Sequence, residues 1–89
     1  MGRMIGVSDH LNRQSSNLKA MAERYGLTVA EREVVGLLAQ GVSLAGIAES
    51  TGRSRETVRS HLKAVFMKTG THRQVELVVL VNGFTVTSI

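Results

Sequence analysis

The sequence predicts an all-α fold of four helices with a leader helix in front of them. Three observations support this fold: the chain contains no Pro, nine Gly punctuate it, and the apolar residues in between recur every three or four positions. At 89 residues, the chain has the length of one small domain. We expect an arm, leader helix or linker remnant at residues 1–26 and the domain at residues 27–89.

The leader helix is predicted from Asp9 to Tyr25, with Ser8 or Asp9 as its N-cap and Gly26 after its C-terminus. Its apolar stripe is thin, and NRQSSN in its middle is polar on every side. A helix with so little apolar surface gains little from packing. We therefore expect it to fray or to pack on a partner.

Three further helices each begin at a hydroxyl residue and end at a glycine. The N-caps are Thr28, Ser43 and Ser54, and the matching stops are Gly41, Gly52 and Gly70. Thr28 also has Glu31 three positions later, which is the spacing of a capping box. A short helix, a tight turn and a longer helix follow one another from Ser43, which predicts a helix-turn-helix.

The last helix is predicted from a second capping box, Thr71 with Gln74, and extends to about Val81. A β-hairpin is the alternative, because two β-branched runs flank Asn82 and Gly83. A single hairpin without a third strand is marginally stable, and Asn-Gly also suits the end of a helix. We therefore favour the helix.

Positive charge is concentrated in residues 53–73. The whole chain has 11 Lys and Arg against 7 Asp and Glu, a net charge of +4. Within residues 53–73, Glu56 is the one acid beside Arg53, Arg55, Arg59, Lys63, Lys68 and Arg73. A basic second helix in a helix-turn-helix is typical of a helix that enters the DNA major groove. The alternative is a basic surface that is only solvated.

The helix after Ser54 has one apolar side and one basic side. At about 100° per residue, an inward arc contains Val58, Leu62, Val65 and Phe66. An outward strip contains Arg59, Ser60 and Lys63. Cationic and hydroxyl groups can bond base edges, so these three are the predicted base contacts. Helix N-termini and flanking cations suit phosphate, and the predicted phosphate contacts are Ser54, Arg55, Thr57, Lys68 and Arg73.

The last predicted helix carries two apolar faces. One contains Val75, Val78 and Val79, and the other contains Leu77, Leu80 and Val81. A surface helix needs one apolar face, so the second predicts burial in a partner or enclosure by the domain itself. We expect a homodimer through Leu77, Leu80 and Val81, which would place two outward strips on successive half-sites.

Other classes of site find little support in the sequence. Cys is absent and the three His lack metal-ligand spacing, so we expect no metal. No Gly-rich phosphate loop or nucleophile triad occurs, so we expect no cofactor and no enzyme. No apolar run reaches the roughly 20 residues of a membrane span and no secretory signal is evident, so we expect a cytoplasmic protein without a membrane partner.

Residues 27–78 resemble the C-terminal DNA-binding domain of LuxR-type (LuxR/FixJ) transcriptional regulators. The resemblance rests on LTVAEREVV, GVSLAGIAE, SRETVRSHL and KTGTHRQVELV, which are specific as a set. It implies a four-helix domain that ends in a dimerisation helix. The base-reading positions it implies are Arg59, Ser60 and Lys63, and the phosphate contacts it implies are Ser54, Thr57 and Lys68. Members usually carry a further N-terminal domain, so we expect a stand-alone regulator or a fragment of a larger one.

The chain departs from that family at four positions. Gly46 stands where Glu is usual, Thr51 and Arg53 stand where apolar residues are usual, and Gly36 weakens the scaffold helix. Two alternative functions stay open. One is a promoter-recognition domain like region 4 of sigma factors, which would contact RNA polymerase. The other is a protein-interaction module that titrates another regulator.

Overall fold

The computed structural model describes residues 16–83, which form helices joined by short turns. The helices are α1 at residues 16–25, α2 at Val29–Ala39, α3 at Leu44–Thr51, α4 at Arg55–Thr69 and α5 at Gln74–Gly83. α2 packs against α4 and α5, and α3 packs against α4. The predicted all-α fold is confirmed. None of the helices in this part of the chain has the length and apolarity that a membrane crossing requires.

The three hydroxyl N-caps are present as predicted. Thr28 and Glu31 form both bonds of a capping box, each from a backbone N–H to the other residue's side-chain oxygen, at 2.9 and 3.1 Å. Ser43 and Ser54 each accept a bond from the backbone N–H three positions later, at 3.1 Å. α3 ends at Thr51, and its C-cap Gly52 has a φ of 70°, in the left-handed region that favours glycine. These local bonds fix the bounds of the helix-turn-helix.

The predicted capping box of Thr71 and Gln74 is wrong. α5 begins at Gln74, so the N-cap position is Arg73, two residues after Thr71. Glu76 caps the helix instead, since its Oε1 accepts bonds from the backbone N–H of His72 at 2.6 Å and of Arg73 at 3.2 Å. These bonds hold the pKa of Glu76 below its ordinary value. The segment Gln74–Gly83 is a helix, as we favoured, and not the first strand of a hairpin. Residues 84–89, which would form the second strand of that hairpin, lie outside the described part.

α1 packs into the same unit as the four helices that follow it. The buried core comprises Met21, Val34, Val35, Leu38, Ile47, Ala48, Val58, Leu62, Val65, Leu77 and Val81. Leu18 of α1 approaches α2 at Gly36, where an added Cβ would lie 2.9 Å from Leu18 Cδ2. The glycine therefore permits a close helix contact. Met21 of α1 thus packs within the chain's own core. The predicted N-cap of this helix at Ser8 or Asp9 lies outside the described residues.

Candidate nucleic-acid interface

The outward strip on α4, defined by Arg59, Ser60 and Lys63, is exposed along its length. Its orientation follows from the opposite side of the helix, where three of the four residues of the predicted inward arc are buried and Phe66 is half-buried. α4 cannot rotate without exposing that apolar side. The core therefore fixes the strip toward solvent, as the 100° spacing predicted.

The strip carries groups that are suited to binding. It offers two cationic groups and one hydroxyl, which are side chains of the kind that can donate hydrogen bonds to acceptors on base edges. Among residues 16–83, no group of His, Cys, Asp or Glu side chains converges to hold a metal ion. The positive charge and the donors of this face are complementary to an anionic ligand that is rich in hydrogen-bond acceptors.

The N-terminal end of α4 presents hydrogen-bond donors next to the strip. Ser54 Oγ accepts from the Thr57 backbone N–H at 3.1 Å and donates to Thr57 Oγ1 at 3.0 Å. The Thr57 side chain is exposed, and Arg55 is exposed beside it. The positive end of the helix dipole favours an anion here, although the exposed Glu56 partly opposes it. The predicted phosphate contacts at this end lie close together.

Lys68, a predicted phosphate contact, is engaged within the chain. Its Nζ donates to Glu31 Oε1 at 2.6 Å and to the Gly26 carbonyl at 3.2 Å. These two bonds tie the C-terminal end of α4 to the start of α2 and to the turn after α1. The structure therefore shows a structural role for Lys68 that the sequence did not predict, while 34% of its side chain is exposed. Spacing could not reveal the pair, because its members are 37 residues apart.

The Glu31 carboxylate is the centre of this tie. It is buried, and it accepts bonds from both Lys68 and the Thr28 backbone N–H. Burial alone would raise the pKa of Glu31, but the donors at Lys68 and Thr28 outweigh burial and the pKa lies below its ordinary value. The folded state therefore favours the charged carboxylate.

We expect acid to destabilise the fold partly through Glu31. A carboxyl with a depressed folded-state pKa adds stability above its unfolded pKa of about 4.3 and loses it as the pH falls through the folded pKa. In Glu31→Gln, the free energy of unfolding should be about 1–3 kcal/mol lower at pH 7, and this deficit should shrink toward pH 3. Urea unfolding followed by circular dichroism between pH 3 and 7 tests this. Glu23→Gln, on the exposed side of α1, is the control, and a deficit that stays constant with pH would contradict the assignment.

A second ion pair links the turn of the helix-turn-helix to α2. Arg53 Nη1 donates to Glu33 Oε1 at 2.9 Å, and the two side chains are 29% and 50% exposed. The sequence suggested no role for Arg53, which stands where the LuxR family is usually apolar. A partner 20 residues away leaves no local signal.

Two of the three residues of the predicted dimer face of α5 are enclosed by the chain itself. Leu77 and Val81 are fully buried, both at 0% exposure, in the chain's own core, and Leu80 is half-buried. The exposed apolar residues are Val75 and Val79, at 62% and 64%. α5 thus has two apolar faces, as expected, and on the opposite face Val75 and Val79 are exposed while Val78 is half-buried. Helical spacing shows that two faces exist and cannot show which one packs inward.

Comparison with known proteins decides the family. Residues 26–81, more than half of the chain, match the family described as bacterial regulatory proteins, luxR family. The chain belongs to the luxR family. It is 42% identical over 52 residues to the monoamine regulon transcriptional regulator of Klebsiella aerogenes. The aligned segment covers 58% of the chain and 23% of that relative. The chain thus matches less than a quarter of that protein's length, and no solved structure matches significantly.

The luxR-family match runs through α2, α3 and α4 and most of α5, so it contains the whole helix-turn-helix. This is a DNA-binding regulator domain. The match begins at Gly26 and leaves out α1, although α1 contributes Met21 to the core. The packed unit is therefore larger than the part that the family shares.

Proposed function

We propose that this luxR-family domain is a sequence-specific transcriptional regulator that binds double-stranded DNA as a homodimer. α4 enters the major groove, and Arg59, Ser60 and Lys63 contact base edges. The observation that supports this proposal is the single exposed strip formed by these residues, held outward by the buried side of α4. As a regulator of bacterial genes, the protein acts in the cytoplasm.

Phosphate contacts supply most of the affinity and its salt dependence in this proposal. They come from the exposed residues at the start of α4 and before α5, namely Ser54, Arg55, Thr57 and Arg73. Lys68 is left out because its ammonium is bonded to Glu31.

Selection from random DNA duplexes, repeated at several salt concentrations, tests the proposed function. An enriched palindrome supports a homodimer that reads two half-sites. A single, non-palindromic element together with co-purification of RNA polymerase supports the sigma-like alternative instead. If no duplex is enriched at any salt concentration and the chain still binds a protein partner, the result supports the protein-interaction module.

The homodimer is proposed to form through Val75 and Val79, the exposed apolar residues of α5. Val79→Asp places a charge in that contact and should raise the dimer dissociation constant at least tenfold, since an unpaired charge is costly to bury. Sedimentation at several protein concentrations measures it. Val29→Asp is the matched control, because Val29 is 85% exposed on α2. Equal behaviour of the two variants would exclude this face as the dimer contact.

A further inference from the structure

We propose that Arg53 and Glu33 form a positioning pair that sets the orientation of the N-terminal end of α4 on DNA. The inference rests on the proposed function and adds two residues that touch neither bases nor phosphates. Arg53 lies in the turn between α3 and α4, immediately before Ser54, the N-cap of α4. Whatever holds Arg53 therefore holds the first turn of α4.

Arg53 is bonded to two different helices. Its backbone N–H donates to the Ala48 carbonyl of α3 at 3.0 Å, and its Nη1 donates to Glu33 of α2 at 2.9 Å. Glu33 precedes two fully buried core residues, Val34 and Val35, so the backbone that carries its carboxylate is fixed. The turn is thus tied to the helix that packs against both α4 and α5.

The Arg53 side chain is 29% exposed and polar, so apolar burial does not hold the turn at this position. The ion pair with Glu33 supplies the restraint instead. Recognition surfaces need their supporting groups held to within about 0.5 Å. Loss of the pair should therefore displace Ser54, Arg55 and Thr57 slightly, and the precise fit to a preferred sequence should suffer more than general attraction to DNA.

A different role for the same residues makes the opposite prediction. If Arg53 contacted a phosphate directly, Glu33 would compete with the DNA for its guanidinium. Removing Glu33 would then tighten binding to every duplex. The sign of the effect of Glu33→Gln therefore separates a positioning pair from a restrained phosphate ligand.

The experiment compares Glu33→Gln with Glu49→Gln, which removes the same charge from an exposed site on α3. Affinity is measured for the selected duplex and for a random-sequence duplex. Relative to Glu49→Gln, Glu33→Gln should lower the ratio of the two affinities about two- to fivefold, the range of a surface ion pair. Arg53→Glu should lower the ratio as well, and the swap Glu33→Arg with Arg53→Glu should restore most of it.

Three results would overturn the positioning pair: an unchanged affinity ratio, tighter binding of both duplexes than with Glu49→Gln, or a swap that restores nothing. If the wild-type protein prefers no duplex, the proposed function fails by itself. The pair is then judged without DNA from the NMR amide shifts of residues 54–57. These amide shifts should change in Glu33→Gln, remain unchanged in Glu49→Gln and return toward the wild-type values in the swap. Unchanged amide shifts in Glu33→Gln would refute the pair.

Discussion

Replacing Met21 by Ala is expected to lower the free energy of unfolding by about 2–5 kcal/mol, the cost of truncating a large side chain in a packed core. Met21 is completely buried, although it lies on α1, outside the segment that matches the luxR family. Its removal would leave a cavity among side chains of the core. An effect of this size would show that α1 is part of the cooperative unit.

Met67→Ala is the matched control for Met21→Ala. Met67 lies on α4 and is 77% exposed, so its truncation should change the free energy of unfolding by no more than about 0.5 kcal/mol. Urea unfolding of both variants and the wild type provides the comparison. A Met21→Ala variant as stable as Met67→Ala would mean that α1 does not contribute to the folded core.

The sequence could predict those features whose determinants are close together along the chain. The caps at Thr28, Ser43 and Ser54 depend on residues three positions apart, and the strip on α4 depends on spacings of three and four. A hydrogen bond over that distance is a property of the helix itself. These features were therefore predictable before any packing was known.

The capping box of Thr71 and Gln74 is a local pattern that failed, because Glu76 caps α5 instead. The other features that the sequence missed depend on how distant segments meet. The bonds from Lys68 to Glu31 and from Arg53 to Glu33 join different helices, and no local pattern marks them. Gly36 was interpreted as a weak point of α2, whereas it is where Leu18 approaches. In each case the neighbour decides the role of the residue. Spacing alone therefore predicts which side of α4 faces outward and does not predict contacts between helices.

Lys63→Ala should cost about 1–3 kcal/mol of binding free energy on the selected duplex and clearly less on random DNA. Lys63 is exposed one turn after Arg59, and it takes part in none of the ion pairs found among residues 16–83. A lysine that bonds a base edge loses its partner when the sequence changes. A lysine that only attracts phosphates contributes equally to any duplex.

The control for Lys63→Ala is Lys19→Ala, which removes the same charge from an exposed position on α1. Titrations of both duplexes with the two variants, at one salt concentration, separate loss of charge from loss of a base contact. For Lys19→Ala the losses on the two duplexes should be small and equal. If Lys63→Ala also loses equally on both, Lys63 is a phosphate contact, and sequence discrimination must then come from Arg59 and Ser60, the other two residues of the strip.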